Sequence, residues 1–197
     1  ALVIVTGCSA QLREKEITAI EGVTRIFGAS EKGSVVGATL ELLGLQQSGS
    51  TCGGEINDMF GAYSSGERTR SFLKVQDGCN NFCTYCLIPY VRGRSRSRSP
   101  DAAAAEIRKT AKISKELVLT GINLSAYGKD NGATLTALIN EISDVDVRIR
   151  LGSLEAGVIT DELLTALSKL KKFCPQFHLS LQSGNDEVLK KMNRRYT

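Results

Sequence analysis

Three cysteines are the residues whose spacing most directly suggests chemistry. Cys79, Cys83 and Cys86 lie within one short stretch, CNNFCTYC, so their thiolates can reach one inorganic centre from a single loop. A structural zinc or a closed iron–sulfur cluster takes four ligands, whereas three cysteines leave one position of a 4Fe-4S cluster open. His178, the only histidine, is distant in sequence. The spacing therefore favours an open cluster over the alternatives, a structural zinc site or inert thiols.

The composition limits the classes of protein to consider. The chain has 197 residues, of which 42% are hydrophobic and 23% charged, and this predicts a folded globular protein rather than a disordered one. It contains no apolar run of the roughly 18 to 20 residues that a membrane span needs. We find no signal-peptide pattern and expect a cytoplasmic protein, in which clustered cysteines bind metal more often than they form disulfides.

The positive charge is concentrated around the cysteines. Residues 68–115 contain 11 basic and 3 acidic residues, although the net charge of the whole chain is only +4. Four arginines alternate with small residues and would share one side of an extended stretch: Arg92, Arg94, Arg96 and Arg98. This field beside a candidate site favours nucleic acid as the partner, but a solvated arginine-rich loop accounts for the charge equally well.

The order of the predicted elements indicates an α/β fold. In residues 1–45, strands at 2–5 and 25–27 alternate with helices at about 11–20 and 32–43. A stretch rich in glycine and serine at 46–67 is typical of a linker.

From residue 68 onward, strand-then-helix units repeat. We predict strands at 72–75, 117–119, 148–151 and 177–181, with helices that open near residues 99, 135, 161 and 186. Such units build a parallel sheet with right-handed crossovers, which curls into a full or partial β/α barrel. The cysteines follow the first of these strands, on the side of the barrel where chemistry is usually found.

Residues 72–98, FLKVQDGCNNFCTYCLIPYVRGRSRSR, resemble the radical S-adenosylmethionine (SAM) enzymes, and in particular the bacterial methylthiotransferases. The resemblance implies that Cys79, Cys83 and Cys86 hold a 4Fe-4S cluster whose open iron binds the amino and carboxylate groups of SAM. Reduction of that cluster would split the sulfonium and release a 5′-deoxyadenosyl radical. The protein would supply binding, orientation and exclusion of water.

The resemblance extends along almost the whole chain. The segment VTGCSAQ is similar to the end of the family's N-terminal domain, which implies that Cys8 is one of three ligands of a second, auxiliary 4Fe-4S cluster. From the residues alone, Cys8 would be a buried free thiol. Because the other two ligands would lie upstream, and because the chain opens without Met, we expect a fragment. It would hold the end of the N-terminal domain (1–45), the linker (46–67) and an incomplete radical SAM core (68–197), without the family's C-terminal RNA-binding domain.

The resemblance also implies cofactor-binding residues at the ends of successive strands. Tyr85 would flank the adenine of SAM, Gly121 and Asn123 would lie near its methionyl group, Ser153 and Glu155 near its amino group or ribose, and Gln182 and Ser183 at the end of the fourth strand. From the residue types alone, each could equally be a turn glycine or an exposed polar residue. Cys52 and Cys174 match no motif, and we predict a buried imidazole for His178.

Within the methylthiotransferases, the segments RSFLKVQD, GINLSAYGKD and RLGSLE are most similar to the group that acts on threonylcarbamoyladenosine in tRNA. This implies methylthiolation of the adenine at carbon 2 beside the anticodon, with SAM as methyl donor and radical source and with external donors of electrons and sulfur. The alternatives are the groups that modify isopentenyladenosine in tRNA or an aspartate of a ribosomal protein. Rivals from other classes are an RNA-binding module with a structural metal and a radical enzyme for small molecules.

Overall fold

The structure is a computed structural model that describes residues 1–28, 31–45, 62–63 and 69–197. Its contacts divide the chain into a smaller unit, formed by the described residues up to Leu45 with Tyr90–Arg92, and a larger unit that holds the rest. Most of the predicted linker at 46–67, with Cys52, lies outside the described residues.

The smaller unit contains a parallel strand pair with helices between and after its strands. Its elements are β1 (Val3–Thr6), α1 (Cys8–Leu12), α2 (Glu14–Thr18), β2 (Val23–Phe27), a 3-10 turn (Lys32–Ser34) and α3 (Val35–Leu42). The alternation of strand and helix is as predicted. The prediction of one helix over 11–20 is wrong, because the backbone leaves the helical range at Arg13 (φ −122°, ψ 33°) and separates α1 from α2.

The larger unit is built on a curled sheet whose central strands are parallel. Its strands are β3 (Ala62–Tyr63), β4 (Arg70–Asp77), β5 (Arg96–Ser97), β6 (Glu116–Gly121), β7 (Arg148–Leu151), β8 (Ser153–Leu154) and β9 (His178–Leu179). In the described residues β4, β6 and β7 pair in parallel, and β3 and β5 pair antiparallel to β4. After Gly152 the path of β7 continues as β8, which pairs in parallel with β9. This mixed α/β partial barrel confirms the predicted fold class.

The helices of the larger unit follow its strands and begin at capping side chains. After α4 (Ile88–Val91), whose last two residues group with the smaller unit, they are α5 (Pro100–Ala111), α6 (Leu135–Glu141), α7 (Asp161–Ser168) and α8 (Asp186–Lys191). The caps of α5 to α8 are Ser99, Thr134, Thr160 and Asn185, and each accepts a hydrogen bond from a backbone N–H of the first turn. Within the part of the chain that the structure describes, no helix is long and apolar enough to cross a membrane.

The core lies between the sheet and the helices. Side chains of β4, β6 and β7 are buried against side chains of α5, α6 and α7. The strands contribute Leu73, Leu117, Leu119 and Ile149, and the helices contribute Ile107, Leu138, Ile139 and Leu163. Burying each such side chain contributes about 1.5–3 kcal/mol, so this layer fixes the strands whose ends carry the candidate site. His178 lies outside this layer and is exposed on β9, so the prediction of a buried imidazole is wrong.

The amino ends of the central strands are joined by one buried carboxylate. Glu116 at the start of β6 lies 2.8 Å from Nε of Arg70, 2.9 Å from Nε of Arg150 and 3.2 Å from Nε of Arg148. Its pKa is lowered, first by the hydrogen bond from Arg150 and then by the charges of Arg150, Arg70 and Arg148. Glu116 thus ties β4, β6 and β7 together at the edge opposite the cysteine loop.

Replacing Glu116 tests this tie. Glu116→Gln should lower the free energy of unfolding by about 1–3 kcal/mol at pH 7, because three guanidinium groups lose their common anion. Since the pKa of Glu116 is lower in the folded state, its contribution is present above about pH 4.5 and is lost as the pH falls through the folded value. Urea denaturation of both proteins between pH 3 and 7 should therefore show a difference that shrinks in acid. Glu141→Gln, at an exposed pair with Arg108, is the control and should have a much smaller effect.

Candidate functional site

The three cysteines lie where the sequence predicts, in the loop that leaves the carboxyl end of β4. Cys79 and Cys83 are buried and Cys86 is half-buried, all as free thiols. The backbone N–H of Cys79 donates to the carbonyl of Gly93 at 3.2 Å, and that of Cys86 donates to the carbonyl of Cys83 at 2.9 Å. The loop is therefore folded into a turn around Cys83 and held against the segment that leads into β5.

Gly78 sets the direction in which the loop leaves β4. Its φ of +70° lies in the left-handed region that residues with a side chain seldom adopt. A Cβ atom at this position would also collide with the carbonyl oxygen of Arg94. The residue before Cys79 therefore has to be glycine for the loop to pack in this way.

Burial and neighbouring charges act on the central thiol. Burial raises the pKa of Cys83, and the Arg194 guanidinium opposes that rise, while the charges of Cys86, Cys79 and Glu155 add to it. Cys79 and Cys86 are thus close enough for their charges to act on the Cys83 thiol. Thiolates are the ligands of iron–sulfur clusters, and binding the metal removes their protons.

The donor set fits an iron–sulfur cluster by number and chemistry. In the described ranges, no group of three or more His, Cys, Asp or Glu side chains is gathered so that it could hold a metal ion. The ligands of a single ion must converge on one point, whereas the cysteines of a cluster bind different irons and can stand further apart. Three thiols on one loop, two of them buried, suit the larger group.

Gln76 connects the base of this loop to the next strand. The pairing of β4 with β6 is irregular between Lys74 and Gln76, and this places Gln76 opposite Gly121. The Gln76 side chain is fully buried. Its Nε2 donates to the carbonyl of Gly78 at 2.7 Å and to Oγ of Ser95 at 3.0 Å.

The other end of the Gln76 amide holds the loop after β6. Its Oε1 accepts a hydrogen bond of 2.8 Å from the backbone N–H of Asn123. A Cβ atom on Gly121 would come within 2.9 Å of the same oxygen, so Gly121 allows this close approach. The Asn123 side chain accepts from the N–H of Ser125 at 3.1 Å. Gly121 and Asn123 therefore shape the strand end, and their predicted contact with SAM stays a prediction.

Glu155 and Tyr85 are brought together by Arg194, which the sequence did not reveal as a site residue. Glu155 Oε1 accepts from Nδ2 of Asn81 at 2.5 Å and from Nη1 of Arg194 at 2.7 Å. Nη2 of Arg194 donates to the Tyr85 hydroxyl at 2.6 Å. The backbone N–H of Glu155 donates to Oγ of Ser125 at 2.7 Å. The arginine pair at 194 and 195 carries no spacing signal that would have assigned either residue to a site.

A cavity of about 410 Å³ lies beside this network. Its lining comes from the loops that follow β4, β6 and β8, from the start of α6 and from the segment after α8. It includes Asn81, Ser125, Lys129, Glu155, Arg194 and Tyr196. It therefore opens at the carboxyl ends of the strands and shares Asn81, Glu155 and Arg194 with the surroundings of the cysteine loop.

The remaining predicted SAM contacts have local roles. Ser153 is half-buried in β8 and pairs with His178. Gln182 is exposed and has a φ of +65°. Oγ of Ser183 accepts from the N–H of Asn185 at 3.1 Å. A role for these three residues in cofactor binding stays a prediction.

The arginine stretch is less regular than predicted. The backbone turns at Gly93, with a φ of +76°, and the regular strand β5 is limited to Arg96–Ser97. The prediction of one extended stretch with all four arginines on one side is therefore wrong. Arg94 is exposed and stacks on Phe82, 4.8 Å from the ring centroid, and Nη2 of Arg96 lies 3.7 Å from Oδ2 of Asp77.

Two further cysteines lie away from the loop in sequence. Cys8 is the first residue of α1 and is half-buried rather than buried. Cys174 is buried, and its Sγ lies 3.3 Å from Nη2 of Arg148. A role for Cys8 in a second cluster stays a prediction.

Comparison with known proteins identifies the family. The sequence profile of the Radical SAM superfamily matches residues 73–197, which include the cysteine loop and the partial barrel. The chain belongs to the radical SAM superfamily. The superfamily implies a 4Fe-4S cluster and SAM, in agreement with the donor set. Among solved structures, the radical SAM methyltransferase TsrM from Kitasatospora setae, with cobalamin and a 4Fe-4S cluster bound, has a similar fold at a TM-score of 0.64. The match covers 100% of this chain and 47% of that chain at 14% identity, so it concerns the fold alone.

Curated relatives confirm the resemblance to the methylthiotransferases. This radical SAM chain is 40% identical over its whole length to the threonylcarbamoyladenosine tRNA methylthiotransferase MtaB of Thermotoga maritima and 36% identical to that of Bacillus subtilis, covering 46% of each. It is 43% identical to the tRNA-2-methylthio-N(6)-dimethylallyladenosine synthase of Clostridium botulinum strain Hall, over 64% of this chain and 29% of that protein. The chain thus spans about half the length, or less, of the curated relatives it matches.

Removing the Gln76 amide tests how the cysteine loop of this radical SAM protein is positioned. Gln76→Leu should leave the buried Gly78 carbonyl and Asn123 N–H without partners and lower the free energy of unfolding by about 2–4 kcal/mol. It should also reduce the iron retained after anaerobic reconstitution. Ser95→Ala, which removes one acceptor of the same amide, should have a smaller effect in both measurements. Equal stability and equal iron content of Gln76→Leu and the unmodified protein would contradict this role.

Proposed function

We propose that this radical SAM protein is a methylthiotransferase that acts on carbon 2 of threonylcarbamoyladenosine beside the anticodon of tRNA. The observation that carries the proposal is the loop of three cysteines at the carboxyl end of β4, beside a cavity with charged walls. Three cysteine ligands leave one iron of a 4Fe-4S cluster for SAM, and a closed structural site needs a fourth ligand.

The residues around the loop have distinct roles in this proposal. Cys79, Cys83 and Cys86 hold the cluster, which when bound supplies the electron that cleaves SAM. Glu155, whose carboxylate is oriented by Asn81 and Arg194, would bind the amino group or ribose of SAM. Tyr85 on the cysteine loop is exposed and offers a ring for the adenine.

The proposed tRNA substrate rests on the relatives and on the charge of the loop. The MtaB proteins of three bacteria match the whole chain at 36–40% identity and bear the name of threonylcarbamoyladenosine tRNA methylthiotransferases. Arg94 is exposed beside the cysteine loop, where a guanidinium suits a phosphate of the RNA backbone. Electron and sulfur donors would be separate partners, and Cys8 would contribute to an auxiliary cluster.

A second candidate is the methylthiolation of isopentenyladenosine in tRNA. The higher identity, 43%, to the dimethylallyladenosine synthase of Clostridium botulinum favours it, but over only 64% of the chain. The whole-chain match makes threonylcarbamoyladenosine the better-supported substrate.

Anaerobic reconstitution tests the cluster. We expect a brown protein with roughly four irons per chain, whose reduced EPR spectrum changes when SAM is added, because SAM binds the open iron. Cys83→Ala should abolish the signal, whereas Cys174→Ala, a matched change at another buried cysteine, should retain it. A colourless protein that binds zinc instead would favour the structural-metal alternative.

A substrate assay separates the two tRNA targets. The reconstituted full-length protein, supplied with SAM, reductant and sulfide, should methylthiolate tRNA that bears threonylcarbamoyladenosine, as detected by mass spectrometry of the released nucleosides. A parallel tRNA that bears isopentenyladenosine should remain unmodified. Conversion of the isopentenyl form alone would assign the chain to the second group.

A further inference from the structure

The end of α8 and the segment that follows it make direct contact with the cysteine loop. The carbonyls of Lys191 and Met192 accept hydrogen bonds from Oγ1 and the backbone N–H of Thr84, at 3.2 and 3.3 Å. Nδ2 of Asn193 donates to the carbonyls of Asn81 and Phe82, at 3.1 and 3.0 Å. Residues 191–196 thus satisfy backbone groups of the loop on both sides of Cys83, and we name this segment the clasp.

The backbone of the clasp is shaped for these contacts. Asn193 has a φ of +58°, a left-handed conformation that asparagine adopts more readily than most residues. It follows the end of α8 and turns the chain so that the Asn193 side chain reaches the loop while Arg194 enters the site. Further along, the Tyr196 hydroxyl donates to the carbonyls of Ser180 and Leu181, which holds the far end of the clasp.

Arg194 is the charged residue at the centre of the clasp. Its side chain is only 10% exposed, and it donates to Glu155 from one nitrogen and to Tyr85 from another. The rings of Tyr85 and Tyr196 each lie 5.9 Å from its guanidinium carbon. Its Nε is buried and, within the described residues, has no hydrogen-bond partner. A buried guanidinium that keeps a free donor and whose charge reaches the Cys83 thiol does more than hold Glu155 in place.

We propose that Arg194 is a positioning residue that clamps the three-cysteine loop and whose positive charge favours reduction of the cluster bound there. The inference rests on the proposed function, because it concerns the same cluster. Reduction adds negative charge to a buried group, and a fixed cation nearby lowers the free energy of the reduced form. Arginine suits both tasks, since its rigid fork bridges Glu155 and Tyr85 while its charge persists at any working pH.

The chain contains a matched control one residue away. Arg195 belongs to the same segment and carries the same charge, but its side chain is exposed. Arg195→Gln therefore changes the net charge as much as Arg194→Gln does and leaves the buried contacts intact. A general effect of charge would appear in both variants, and the proposed effect in Arg194→Gln alone.

Hydrogen exchange of the metal-free protein tests the clamp independently of the cluster. In Arg194→Gln, backbone amides of residues 79–86 should exchange about tenfold faster, because charged hydrogen bonds to Glu155 and Tyr85 are lost. Amides of Leu117–Leu119 in the core should be unchanged, which shows that the variant is folded. Tyr85→Phe, which removes one of these bonds, should give a smaller increase. Exchange of the loop as slow in Arg194→Gln as in Arg195→Gln would overturn the clamp.

The midpoint potential of the reconstituted protein tests the charge. Arg194→Gln should shift the potential to more negative values and lose iron faster to a chelator, whereas Arg195→Gln should match the unmodified protein. Arg194→Lys should have a midpoint potential close to that of the unmodified protein, since the positive charge remains. The amides of its cysteine loop should exchange faster, because lysine cannot donate to Glu155 and Tyr85 from two separate nitrogens. An unchanged potential in Arg194→Gln would overturn the electrostatic role. If the unmodified protein itself bound no cluster, the proposed function would fail, and hydrogen exchange would still decide the clamp.

Discussion

The buried side-chain amide of Gln76 is the interaction on which the geometry of the candidate site depends. A buried amide has to satisfy both its donor and its acceptor, and here the partners belong to different segments. The donor reaches the carbonyl of Gly78 at the base of the cysteine loop and the hydroxyl of Ser95, and the acceptor binds the N–H of Asn123 after the next strand. Neither loop can move without leaving a buried polar group unpaired, so this one residue places the cysteines relative to the neighbouring strand end.

The two edges of the central sheet serve different purposes. At the amino ends of β4, β6 and β7, Glu116 joins three arginines in an arrangement that holds the strands together. At the carboxyl ends, the glycines at 78 and 121 allow the close approach of the Arg94 carbonyl and the Gln76 side chain. There the Gln76 amide joins the loops that follow β4 and β6. This division agrees with the general behaviour of β/α barrels, in which stability belongs to one end and chemistry to the other.

Near the thiols, the negative charge of Glu155 and the positive charge of Arg194 lie side by side. Glu155 is held by Asn81 and Arg194, and Arg194 in turn lies between the rings of Tyr85 and Tyr196. Burying either charge alone would be costly, and each offsets the penalty of the other. The result is a polar but well-packed wall between the cysteine loop and the cavity, built from segments that follow three different elements of the fold.

Much of this arrangement follows from the sequence alone. The alternation of strands and helices, the helix starts near residues 99, 135, 161 and 186, and the spacing of the three cysteines depend on residues a few positions apart, so local pattern was sufficient to predict them. The break at Arg13, the exposure of His178 and the turn at Gly93 were not predicted, because each depends on how the surrounding chain packs. The contacts of Gln76 with Asn123 and of Arg194 with Glu155 span 47 and 39 residues. Only the folded chain brings such pairs together, since no short-range preference of either residue specifies its partner.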